Sequence, residues 1–139
     1  MPQPIRQNAL DHDLSARIAG TTTVSASPAA AAETVLGTLT IPSFGDLTIV
    51  SGVHLRGWAA FTVGTNGVSA NMRIRRDTVA GTIIVASGAI TETAANLDEV
   101  GVQGFDSAPT TGIYALTLIV ASGTAITTVS ALSLFGIAV

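Results

Sequence analysis

The chain has no cysteine and no lysine. The first absence excludes a disulfide framework and a thiolate metal site. The second leaves arginine as the strong base, six residues against nine carboxylates, for a net charge of -3. Phosphate backbones are held by clustered positive charge that releases counterions, so nucleic acid is not an expected partner. Charge of either sign is scarce, at 11% of residues against roughly 25% in an average soluble domain. Aromatics make up 4%, and histidine occurs twice. No phosphate-cradling glycine loop, zinc-binding helix motif or Gly-x-Ser-x-Gly elbow is present. Residues 1–20 lack the basic stretch and apolar run of a cleavable export signal.

What fills the sequence instead is apolar and hydroxyl-bearing. Hydrophobic residues are 47% of the 139, and the abundant Thr, Ser and Val suit strand faces better than helices. The length corresponds to one domain. Residues 1–34 differ from the rest: Pro2, Pro4 and Pro28, the run Thr21–Thr23 and the tract Ala29–Ala32 describe an extended arm. Within it, Asn8 is placed to cap a short helix whose Leu10, Leu14 and Ile18 share one face. Such a helix is too short to hold in water alone, so its stripe needs a surface on this domain or a neighbour.

From residue 35 to 139 the pattern becomes short alternating runs punctuated by Gly, Ser, Asn and Asp, the signature of an antiparallel β-sandwich. Strands are expected over Thr34–Ile41, Leu47–Val50, Val53–Val63, Ser69–Arg76, Gly81–Ala86, Glu99–Gly104, Ile113–Ala121 and Thr127–Val139. Asn66-Gly67 is a hairpin signal expected to join the third and fourth of these. Ser-Gly follows an apolar strand end three times, at Ser51-Gly52, Ser87-Gly88 and Ser122-Gly123, which reads as reused turn chemistry rather than a repeat array. Residues 113–139 are long enough to cross a bilayer. The internal Ser-Gly-Thr and the alternation after it indicate paired strands instead, so a membrane is not an expected partner.

Few residues are equipped for chemistry. His12 lies between Asp11 and Asp13, yet successive residues point in different directions and do not converge on one ion. His54 shares a strand face with Arg56 and Trp58, a packed or contact surface rather than a catalytic one. Arg73 and Arg75 also share one face, opposite Met72 and Ile74. They read either as charges that discourage edge aggregation or as a contact to a neighbour's carboxylate, such as Asp98 or Glu99. Asp98, Glu99 and Asp106 lack the spacing of a calcium loop. No enzyme, metal or cofactor is expected.

The segments Gly112-Ile113-Tyr114-Ala115-Leu116-Thr117-Leu118 and Ser130-Ala131-Leu132-Ser133-Leu134-Phe135-Gly136-Ile137 resemble the jelly-roll domains of phage head-decoration, fibre and tail proteins. Those are in turn similar to the trimeric tumour-necrosis-factor-like heads. The resemblance covers the last third of the domain. It implies a jelly roll in which these two strands pair within the core, and a homo-oligomer, trimeric by preference, on the outer surface of a virus capsid. The expected role is a structural virion protein, a decoration or cementing subunit whose arm reaches other capsid subunits. Leu10, Leu14, Ile18, Trp58, Arg73 and Arg75 are its expected contact residues. The alternative is a fibre or tail-tip module that recognises a host glycan through Trp58 and Tyr114.

Overall fold

The computed structural model describes residues 15–22, 33–41, 51–63, 68–92, 97–120 and 126–139. These form β1 (Ser15–Thr22), β2 (Glu33–Thr40), β3 (Val53–Val63), β4 (Val68–Arg76), β5 (Ile83–Ala86), β6 (Ile90–Glu92), β7 (Leu97–Asp106), β8 (Ile113–Val120) and β9 (Ile126–Ala138). Every strand pairing is antiparallel. Sheet A has the order β1-β9-β3-β7, and sheet B the order β2-β8-β4-β5 with β6 also on β4. The chain passes between the sheets at most connections, which gives an all-β jelly-roll sandwich.

Two-residue periodicity is what closes it. On β3, Val53, Leu55 and Ala59 are buried while His54 and Arg56 are exposed. On β4, Ala70, Met72 and Ile74 point inward, and on β9 Leu132, Leu134 and Ala138 do the same. Sheet B adds Leu36, Leu39, Tyr114, Leu116 and Leu118, with Ile41 just past the end of β2, and β7 contributes Val100 and Val102. Each large aliphatic side chain so buried stabilises the fold by about 1.5–3 kcal/mol. Two glycines set how closely the sheets approach. A Cβ on Gly57 would stand 2.8 Å from Leu116 Cδ1, and one on Gly136 would stand 2.9 Å from Leu39 Cδ2.

The edge of sheet B is formed by β5 and β6 in succession along β4, interrupted at Ser87. There Ser87 N–H donates to Met72 O at 2.8 Å and Met72 N–H donates to Ser87 Oγ at 3.0 Å. The serine side chain thus satisfies a backbone donor that a strand residue would otherwise leave open. Gly88 follows with φ 79°, a conformation that glycine adopts without steric penalty.

Several expectations are corrected. Residues 15–18, expected in a helix ending at Ile18, are strand: β1 pairs with β9, and Ile18 lies in register with Leu134. The four-residue spacing of three apolar residues is also an even spacing, and the long β9 provides backbone partners that a lone helix lacks. Leu10, Leu14 and the expected strand Leu47–Val50 lie outside the described residues. β3 and β4 do not form a hairpin, for they belong to different sheets. Asn-Gly chemistry permits a reversal, but core burial decides which strand becomes the neighbour. By the same logic β8 and β9 belong to different sheets instead of pairing. Residues 113–120 and 126–138 are strands, and among the described residues no helix is long and apolar enough to cross a membrane.

Leu116 is fully buried, so Leu116→Ala is expected to cost about 2–5 kcal/mol in chemical denaturation. Gly57→Ala should cost about 1–3 kcal/mol by overpacking. A neutral Gly57→Ala would show that the sheets are not in the close contact described.

Candidate interaction face

The outer face of sheet A collects most of the exposed aromatic surface among the described residues. Its register lines up Ser15, Ile137, His54 and Phe105 in one row across β1, β9, β3 and β7. The next row is Arg17, Phe135, Arg56 and Gln103, and the one after it is Ala19, Ser133, Trp58 and Gly101. Phe105 is 44% exposed and Ile137 37%, large values for side chains of that size and apolarity. Trp58 is half-buried. The ring of His54 lies 4.7 Å from that of Phe105, tilted by 44°. A groove of about 770 Å³ runs over this face, lined by Arg17, Arg56, Trp58, Gln103, Ser133 and Phe135.

The residues beside the indole are small. Gly101 sits opposite Trp58 on β7, and the nearest atom to a Cβ built there is Gly57 O at 3.9 Å. Ser133 flanks Trp58 on β9. The indole therefore stands beside an open space at Gly101. One row away, Arg17 and Arg56 have no carboxylate within salt-bridge distance among the described residues. Glu99 is exposed on β7, on the same side of the strand as Gly101 and Gln103.

Other charges are occupied inside the molecule. On the outer face of sheet B, Glu33 at the start of β2 accepts from Arg75 Nε at 2.7 Å, Arg75 Nη2 at 2.6 Å and Arg73 Nη1 at 3.0 Å, and also from the Thr117 hydroxyl. Burial alone would raise the Glu33 pKa. The hydrogen bonds from Arg75 and Thr117 and the charges of Arg75 and Arg73 outweigh it and hold the pKa below the usual value of 4.5. At one end of the sandwich Asp106, 2% exposed, accepts from Arg76 Nε at 2.9 Å, Arg76 Nη2 at 2.5 Å, the Tyr114 hydroxyl at 3.0 Å and Ala108 N–H at 3.0 Å. Burial opposes ionisation here too, and these donors prevail, keeping Asp106 below 3.8. Burial and the Asp106 carboxylate push the Tyr114 phenol far up. The adjoining turn is held by Asp77, at φ 66°, which accepts from the Thr111 hydroxyl.

The sequence-predicted residues therefore separate. Trp58 stands on the aromatic face. Arg73 and Arg75 are half-buried and bound to Glu33 of their own chain, rather than left free for Asp98 or Glu99 of a neighbour. Tyr114 is fully buried and offers no ring to a sugar, which leaves Trp58 as the candidate aromatic of the glycan alternative. Sequence reasoning missed Glu33, since nothing local shows that β2 lies across β8 from β4. It also missed Arg17, because residues 15–18 were expected in a helix. His54 faces Phe105 rather than a nucleophile, and among the described residues no group of three or more His, Cys, Asp or Glu side chains is placed to hold a metal ion. His12 lies outside the described residues.

No family model and no curated protein matches this chain. Solved structures do. A structure of the infectious bursal disease virus Gt strain superposes with a TM-score of 0.61 at 10% identity, over 91% of this chain and 34% of that one. The VP2 subviral particle of the same virus gives 0.54 at 10% identity, over 92% and 33%. Eiger TNF from S. frugiperda gives 0.55 at 8% identity, over 91% and 92%. This chain thus spans about a third of the viral chains it matches, and at these identities the likeness is one of fold.

Because Glu33 and Asp106 both titrate below their ordinary values, the unfolded chain takes up their protons first as pH falls. Their contribution to stability is complete above about pH 5 and is lost as pH falls through 4.5 and 3.8 toward the folded-state values. The melting temperature should drop over that window. Asp106→Asn should cost about 3–5 kcal/mol at neutral pH by leaving Arg76 without its counter-charge, and should flatten part of the acid limb. An unchanged acid limb in Asp106→Asn would remove Asp106 from this account.

Proposed function

We propose that this chain is a structural subunit of a virus particle, a decoration or cementing protein that works through surfaces rather than through a reaction centre. The observation that carries the reading is the outer face of sheet A, where Trp58, Phe105, Phe135 and Ile137 form a continuous band on an otherwise well-packed sandwich. Exposed apolar bands of this kind mark contact sites, and aromatic and arginine residues are the types enriched at interface centres. Both viral capsid chains and Eiger TNF carry a similar fold, which supports an assembling role. The subunit is a homo-oligomer, a trimer by preference, on the outer surface of the capsid.

The segment before β1, with Leu10 and Leu14, reaches neighbouring capsid subunits, and Ile18 belongs to the edge strand from which it departs. Arg73 and Arg75 serve the same end indirectly. By gripping Glu33 they fix the start of β2 on sheet B.

The second reading is a fibre or tail-tip module for a host glycan. It is favoured by one observation, the half-exposed indole of Trp58 in a groove with Gln103 and Ser133, since aromatic faces with polar neighbours suit sugars.

Residues 1–14 precede every described strand. A protein lacking them should keep the parent's melting temperature and oligomeric mass but lose incorporation into particles by at least about tenfold. Normal incorporation would refute the arm's role. Glycan-array binding that Trp58→Ala abolishes, with particle incorporation unaffected, would favour the second reading.

A further inference from the structure

The charges on sheet A that have no partner among the described residues are arranged with a polarity. Arg17 lies on β1, at one edge of the sheet, and Arg56 on β3, both flanking Phe135 in a single row. Glu99 lies on β7, at the opposite edge, and is exposed on the same face. Arg73, Arg75 and Arg76 each have a carboxylate partner within the chain, whereas Arg17, Arg56 and Glu99 have none among the described residues. Along the strands the face is thus cationic in the row of Arg17, Phe135 and Arg56 and anionic two rows on, at Glu99 opposite Ala60, with Trp58 in the row between.

A surface with that layout complements itself. When the arginine row of one copy meets Glu99 of another, guanidinium and carboxylate come together while Trp58 and Phe135 leave water. The open space at Gly101 receives a side chain from the opposing copy. An acidic small molecule would answer the arginines, but it would leave Glu99 unpaired and the aromatic band wet.

We infer that the occupant of this face is a second copy of the same chain, seated so that Arg17 and Arg56 of one copy pair with Glu99 of the next across a desolvated Trp58. This rests on the assembly reading above and names the surface and the charge pairing that it uses. Charge pairs of this kind fix register and exclude wrong partners, while the buried aromatic at the centre carries much of the affinity.

The chain contains a single tryptophan, so its emission reports on this face alone. The full-length protein is followed by native mass and by Trp58 fluorescence with acrylamide quenching over a dilution series. The expected result is an oligomer whose emission is blue-shifted and protected, moving to the red as it dissociates. Arg17→Glu combined with Arg56→Glu should weaken association at least about tenfold, and so should Glu99→Arg. The triple variant Arg17→Glu, Arg56→Glu, Glu99→Arg should recover most of it. Circular dichroism and melting confirm that each variant is folded, and Asp77→Asn serves as a charge-changing control away from the face.

An oligomer in which Trp58 stays fully quenchable, or a triple variant no better than its parents, would overturn the inference and leave the assembly reading standing. A protein that stays monomeric at all concentrations would overturn it too, with particle incorporation then judging the assembly reading separately. A monomer that binds carboxylate-bearing oligosaccharides through Arg17 and Arg56 would transfer the face to the glycan reading.

Discussion

The inward set Val53, Leu55, Ala59, Met72, Ile74, Leu116, Leu118 and Leu134 meets between two sheets, and the rest of the molecule follows from that contact. Because the side-chain period of a strand is two, a slip of one residue would send each inward set to solvent and bring Arg56 or Arg73 into the core. The register is thereby fixed with few charged residues. Gly57 and Gly136 narrow the space until the opposing leucines touch, and dense packing is sensitive to a single added methyl group.

Once the sheets are closed, the charged residues divide by what they can reach. Glu33 ties the first strand of sheet B to its centre, and Asp106 ties Arg76 and Tyr114 to the 106–113 connection. Both carboxylates remain ionised despite burial because several donors converge on each one, the condition under which a buried charge is tolerated. What is left over is the outer face of sheet A, where Phe105, Phe135 and Ile137 lie beside Arg17 and Arg56.

Much of this was legible in the sequence. The patterns in Val53–Val63, Ser69–Arg76 and Ile113–Ala121 place strands almost where they occur, since in the first two the apolar residues fall at every second position and the third is a short apolar run. Sheet membership was not legible: Asn66-Gly67 says that the chain turns, while the partner of each strand is settled by burial over residues far apart in sequence. β1 escaped notice because its support comes from β9, more than a hundred residues later. β6 is only three residues long and carries no periodicity to detect. Trp58 could be nominated from its strand face alone. Arg17 and Glu99 could not, because nothing local shows that β1 and β7 belong to one sheet.

The interruption at Ser87 bears on how such a protein is able to grow. An uninterrupted outer strand offers a template on which another chain can add by hydrogen bonding, a route to open-ended fibres. Here the rim of sheet B is split into pieces of four and three residues, and Ser87 with Gly88 turns the backbone between them. Strand-by-strand extension from that edge of sheet B is thereby curtailed.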